Sequence, residues 1–236
     1  MDLRVYADLH AIGMSVVAAV TAQNNRRVTA AGAIAPALIT QQLEAVWEHV
    51  KPDAVCIGLL PDASGIMAIG TFLTRLARRP PMVIDPVIAA SSGWRFVGAR
   101  ARSELLRLWP LATVVTPNLD EAAVLSKMKV TNLEHAESAA RTLARYGSAV
   151  LVTGGHLKSA TCVDILVHGD RVRRFSARRV TGAMRGAGGI LAAALAVYLA
   201  RGASLERAVE HARLFVRRAF QSARTIGSGQ RQYLNW

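Results

Sequence analysis

Cysteine, lysine and aromatic residues are all scarce in this sequence. Cys56 and Cys162 are the only cysteines, too few for a disulfide-stapled secreted scaffold or a four-cysteine zinc site, so a reducing cytoplasmic setting is expected. Long apolar runs are missing as well: the longest, Ile190 to Ala200, is about half of the ~20 residues a membrane span needs and reads as a buried helix. Met1-Asp2-Leu3-Arg4 leads into an amphipathic mixture rather than a basic segment followed by an apolar run, which argues against an ordinary signal peptide. Aromatic residues make up 6% of the chain, and only four of its 29 basic residues are lysines.

What is present is apolar and arginine-rich. With 52% hydrophobic and 19% charged residues over 236 positions, the chain can bury a large core and does not have the composition of a disordered segment. The net charge of +13 comes mostly from scattered arginine, in pairs such as Arg26-Arg27, Arg173-Arg174 and Arg217-Arg218. A nucleic-acid binder usually concentrates its charge on one face and interleaves aromatics for stacking. That pattern is absent here, so a nucleic-acid partner is not expected. A positive field remains compatible with an anionic small molecule such as ATP.

Continuous apolar runs at Met14–Gln23, Ala54–Ile57, Pro81–Asp85, Thr113–Thr116 and Ala149–Thr153 predict strands covered on both faces. Helical patterns lie between them, at Ala35–Val50, Ser64–Arg78, Gly98–Trp109, Leu119–Ser126 and Asn132–Tyr146. This alternation predicts one α/β domain over residues 1–236, with helices on both faces of a mostly parallel sheet. Thr161–Val167, the turn His168-Gly169-Asp170 and Arg171–Ser176 then read as an antiparallel hairpin. A glycine turn, Arg185-Gly186-Ala187-Gly188-Gly189, opens the apolar helix, and Ser204 caps a last helix reaching to about Arg224.

Several strand ends carry polar residues, and ligands of open α/β sheets bind at the carboxyl ends of strands. The glycine turn would let the backbone approach an anion at a helix N-terminus, although a turn that only packs a helix on a sheet has the same look. Asn118-Leu-Asp-Glu121 offers oxygen ligands suited to the water shell of Mg²⁺, and equally forms a capping box that needs no metal. Asp85-Pro86-Val87, Gln23, and Thr153-Gly154-Gly155-His156 end three further runs. A lone turn histidine such as His156 is more often structural than a base.

In order and spacing these motifs resemble the hydroxymethylpyrimidine and phosphomethylpyrimidine kinases of thiamine biosynthesis, in the ribokinase-like superfamily. The segments that carry the likeness are Gly13–Asn24, Ile57–Leu60, Asp85–Val87, Thr116–Asn118 with Glu121, Leu151–His156 and the glycine turn. The resemblance implies a three-layer α/β/α kinase domain and a homodimer, with ATP, Mg²⁺ and a small pyrimidine as its ligands. Gln23, Leu59 and Val87 would face the pyrimidine. Asp85, Asn118, Glu121 and Thr153 would face ATP and its phosphates, with Asn118 and Glu121 holding Mg²⁺ through water. Gly186, Gly188 and Gly189 would form the anion hole for the transferring phosphoryl group.

The sequence departs from that pattern at three places. Gly189 stands where the family has a cysteine, or an aspartate in the pyridoxal kinase branch, that accepts the proton of the substrate hydroxyl. Thr153 stands where a lysine is common, and Arg185 would supply the positive charge instead. Met1-Asp2-Leu3 aligns inside the family's first helix, without the opening strand and its Gly-Ser-Asp turn; either the true start lies upstream, the sheet is completed otherwise, or the chain is a degenerate homologue. The alternative to an active kinase is a pseudokinase that binds pyrimidine or nucleotide without turnover.

Overall fold

Apolar runs that must be covered on both faces settle into the middle of a sheet, and here four of them lie side by side. A computed structural model describes residues 1–24, 26–155, 160–180, 184–225 and 231–232, with the backbone alone at 185, 231 and 232. Helix α1 (Asp2–Asp8) is followed by strands β1 (Ala19–Gln23) and β2 (Val28–Ala33) and helix α2 (Pro36–His49). The alternating part comprises β3 (Val55–Ile57), α3 (Ala63–Thr74), β4 (Met82–Ile84), α4 (Ala99–Leu108), β5 (Val114–Val115), α5 (Leu119–Ser126), α6 (Leu133–Ala144) and β6 (Ala149–Val152). A long hairpin, β7 (Thr161–His168) and β8 (Arg171–Arg178), leads to β9 (Met184–Arg185), α7 (Ala187–Ala200) and α8 (Leu205–Ser222). The two-residue strands β10 (Arg224–Thr225) and β11 (Arg231–Gln232) come last.

The central sheet has six strands in the order β3-β4-β5-β6-β7-β8. Its first four are mutually parallel, and the β7–β8 hairpin adds antiparallel to β6. Strand alternation sends neighbouring side chains to opposite faces. Met82, Ile84, Val115, Val150 and Val152 pack with α2 to α6, whereas Val83, Val114, Ala149 and Leu151 pack with α1, α7 and α8. The result is the three-layer arrangement that the sequence predicts, a mixed sheet between two helical layers.

Local chemistry sets the helix starts. Asp62, Asn118, Asn132 and Ser204 each accept a backbone N–H three residues on, at the N-caps of α3, α5, α6 and α8, satisfying donors that the helix itself cannot. Helix α7 is apolar all round, with every residue from Ile190 to Val197 buried, as a helix enclosed between a sheet and further helices must be.

One expectation changes. The run from Met14 to Gln23 is a strand only from Ala19 onward. The Val17 backbone instead exchanges hydrogen bonds with the Gln42 side chain, at 2.9 and 3.1 Å, so this stretch is held by a side chain rather than by a strand ladder. The central sheet is continuous from β3 to β8, with β3 at its edge, and β1–β2 form a separate two-stranded sheet. A cavity of about 850 Å³ lies between β3 and the extended residues Gly13–Ala19, and Asp2, Tyr6, Cys56 and Leu59 also line it. The outer strand of the hairpin carries Arg173 and Arg174, ion-paired with Glu210 and Glu137.

Candidate active site

Because β3 to β6 run parallel, the residues that follow them emerge at one end of the sheet. Gly58 and Leu59 follow β3, Asp85 follows β4, Asn118 comes shortly after β5, and Thr153 follows β6. The backbone ties these positions together. Asp85 N–H donates to Ile57 O at 2.8 Å, Val87 N–H to Asp85 O at 2.8 Å, and Thr153 N–H to Pro117 O at 3.0 Å. An isolated parallel bridge joins Asn118 to Thr153.

Asn118 and Glu121 form a complete capping box. Asn118 Oδ1 accepts the Glu121 N–H at 3.0 Å, and Glu121 Oε2 accepts the Asn118 N–H at 2.9 Å. The other carboxylate oxygen of Glu121 accepts the Ile88 N–H at 3.3 Å, which joins α5 to the loop after β4. Glu121 is buried, and burial pushes its pKa up to about 7 against the pull of these backbone hydrogen bonds. Asp85 is also buried, and its carboxyl is held well above the ordinary range by burial first, then by the charges of Glu121 and Asp2.

The glycine turn meets Asp85. Gly186 has φ +77° at the N-cap of α7, a left-handed conformation that favours glycine. A Cβ added to Gly188 would sit 3.5 Å from Asp85 Oδ2, and one on Gly189 would sit 3.6 Å from Asp2 Oδ1. Two carboxylates therefore border the first turn of α7, whose N–H groups lack partners within the helix.

These donors suit Mg²⁺ held through water and phosphate rather than in a protein cage. Among the described residues no group of three or more His, Cys, Asp or Glu side chains could hold a metal ion, and both Glu121 oxygens already accept backbone N–H groups. Mg²⁺ commonly keeps several waters and binds through one or two carboxylates plus phosphate oxygens. A cation near Asp85 and Glu121 would favour the charged forms that burial disfavours in both acids.

Gln23 is exposed at the end of β1, beside an irregular register between Ala22 and Gln23. Arg185 lies in β9, but its side chain, like all of His156, falls outside the described residues. Two further residues emerge only from the fold. Asp2 projects from α1 toward Gly189. Asp164, on β7, accepts the Gly154 N–H at 2.8 Å and pairs with Arg213 at 2.6 Å. A carboxylate inside the apolar run Val163-Asp-Ile-Leu-Val167 was the available signal, since a buried charge requires a partner.

A mixed sheet with polar strand ends facing a glycine turn is the architecture of the ribokinase-like small-molecule kinases, and structural comparison agrees. The chain is similar to pyridoxal kinase from Staphylococcus aureus in complex with AMP-PCP and pyridoxal, with TM-score 0.88 and 26% identity over 98% of this chain and 85% of that one. Phosphomethylpyrimidine kinase from Clostridium difficile is similar with TM-score 0.81 and 31% identity, over 92% and 90% of the respective chains.

Sequence comparison narrows the class. Residues 1–233 match the phosphomethylpyrimidine kinase family, and the chain belongs to that family. A hydroxymethylpyrimidine/phosphomethylpyrimidine kinase from Rhizobium meliloti is 38% identical over 97% of this chain and 87% of its own length. The thiamine biosynthesis bifunctional protein ThiED from Geobacter sulfurreducens is also 38% identical over 97% of this chain, which spans 47% of that longer protein.

Proposed function

We propose that the chain transfers the γ-phosphoryl group of ATP to 4-amino-5-hydroxymethyl-2-methylpyrimidine and to the monophosphate of that pyrimidine, in thiamine biosynthesis. The observation that carries this reading is the convergence of Asp85, Asn118–Glu121 and Thr153 at one end of the parallel strands, with Asp85 against the glycine turn of α7. The family and the likeness to a kinase bound to an ATP analogue support the nucleotide.

Phosphoryl transfer relies mainly on positioning and charge neutralisation. The N–H groups of the first turn of α7, reached through Gly186, Gly188 and Gly189, would stabilise the charge on the transferring group. Asn118 and Glu121 would hold Mg²⁺ through water, and Mg²⁺ neutralises phosphate charge when bound. Arg185 would contact phosphate in place of the lysine absent at Thr153. Gln23 would read the pyrimidine edge with its amide, while Leu59 and Val87 would pack on the ring. One kinase domain over residues 1–236, a homodimeric assembly and a cytoplasmic location complete the proposal. Among the described residues no helix is long and apolar enough to cross a membrane.

A coupled ADP-release assay with each pyrimidine, with and without Mg²⁺, tests this reading. Turnover of either substrate is expected; none by the wild type or by Gly189→Cys would overturn it. Nucleotide-dependent stabilisation without turnover would instead identify a pseudokinase, which the bare Gly189 position favours. Light scattering of the purified chain, reading twice the monomer mass, checks the dimer.

A further inference from the structure

Gly189 has no side chain to accept a proton, yet its surroundings are not devoid of a base. Asp2 Oδ1 lies 3.6 Å from the position that a Gly189 Cβ would occupy, so the Asp2 carboxylate reaches the space that a side chain on α7 would fill. Asp2 lines the cavity shared with Gly58 and Leu59, the residues after β3. Asp85, the other carboxylate at this helix terminus, faces Gly188 and lies near Glu121, on the side of the proposed phosphate and metal groups. The two acids therefore border neighbouring positions of α7, Asp85 at Gly188 and Asp2 at Gly189, and Asp2 also lines the cavity with Leu59.

We propose that Asp2 is the general base for the substrate hydroxyl, acting across the helix interface in place of a side chain at position 189. The proposal rests on the kinase reading above. As the hydroxymethyl oxygen bonds to the γ-phosphorus, its O–H bond breaks and the proton passes to an Asp2 carboxylate oxygen. The bond from the γ-phosphorus to the β–γ bridging oxygen breaks, and its electron pair leaves with ADP. For the monophosphate substrate, the attacking group is a phosphate oxygen, which needs no base when ionised, so the requirement for Asp2 should be confined to the alcohol.

The surroundings suit a proton acceptor. Burial is the largest influence on Asp2 and raises its pKa, while the chain's amino group lowers it. Tyr6 on its own helix, Cys56 on β3 and Asp85 after β4 are the other titratable groups close enough to interact with it. Burial likewise lifts the Tyr6 and Cys56 groups far above neutrality, which leaves them protonated and unsuited to the task. A buried carboxylate with a raised pKa is a stronger base than an exposed one, and the positive end of α7 favours its ionised form.

The test compares the wild type with Asp2→Asn, Gly189→Cys and the double variant in the ADP-release assay, using each pyrimidine. Asp2→Asn is expected to lower kcat for the alcohol by roughly 10² to 10⁴, with the KM for ATP and turnover of the monophosphate little changed. A thiol at position 189 in the double variant is expected to restore turnover of the alcohol, which a merely structural role for Asp2 would not allow. Retention of kcat within about threefold in Asp2→Asn would overturn the proposal. So would equal loss with both substrates. Should Asp2→Asn fail to fold, Asp2→Glu keeps the charge and displaces it; an unchanged kcat and pH profile for the alcohol would then count against Asp2. A silent wild type beside an active Gly189→Cys would overturn the base while leaving the kinase reading intact, and silence of both would overturn both.

Discussion

Arg213 Nε lies 2.6 Å from Asp164 Oδ2, and the other oxygen of that carboxylate accepts the Gly154 N–H at 2.8 Å. One enclosed ion pair thus ties α8 to β7 and to the loop that follows Thr153. Arg213 also donates to Phe175 O at 2.8 Å and lies over the Phe175 ring, so its charge and its position are both fixed by partners on the hairpin.

Removing the cation while leaving the carboxylate should be costly, because an enclosed charge loses its partner. Arg213→Met is expected to lower stability by about 3 kcal/mol, read from urea unfolding at neutral pH. Adding Asp164→Asn should recover part of the loss, since the amide oxygen can still accept the Gly154 N–H without a charge to compensate. Two additive losses would show that the pair does not act as a unit.

Gly154 is held against β7 so closely that a Cβ there would run into Val163 O. Gly154→Ala should therefore displace the loop or strand β7, costing about 1 to 3 kcal/mol in the manner of an overpacked core. ATP affinity should fall with it, because Thr153 is the adjacent residue. Unchanged melting temperature and ATP affinity would show that the close approach has no functional consequence.

Asn118 has a capping role that can be separated from a ligand role. Asn118→Ala is expected to cost about 1 kcal/mol through loss of the N-cap, whereas Asn118→Ser should keep most of that stability. Both should weaken Mg²⁺-dependent turnover if the amide organises the ion's water shell. A serine variant with full activity would assign Asn118 to capping alone.

Burial raises Glu121 from an ordinary value of 4.5 to about 7. Between those values the folded chain keeps a proton that the unfolded chain releases, so stability falls as pH rises through this window and levels off above it. Asp2 and Asp85, also raised, act in the same direction. In nucleotide-free urea unfolding, Glu121→Gln is expected to reduce the stability difference between pH 5 and pH 8 by on the order of 2 kcal/mol. An unchanged difference would show that Glu121 titrates normally in the folded state.

Elements whose pattern is local were legible in the sequence. Helix α5 spans the residues expected of it, Leu119–Ser126, because its capping box and apolar face lie within one short segment. The hairpin and the all-apolar α7 were legible for the same reason. The run beginning at Met14 was misread because a continuous apolar stretch has no period to distinguish a strand from an extended segment held by Gln42. Strand ends with polar residues were also visible, since a change from apolar to polar is a local event.

The alternating α/β class, the Asn118 and Ser204 caps, the hairpin turn and the absence of a side chain at position 189 follow from local pattern alone. Which groups meet across long separations is set by the packing of the whole chain: Asp164 with Arg213, Asp2 with Gly189, and Asp85 with Glu121. The same packing raises the pKa values of Asp2, Asp85 and Glu121 by burying them. Capping and periodicity act within a few residues, whereas desolvation and charge proximity depend on what the rest of the chain packs around a group, and no local pattern carries that information.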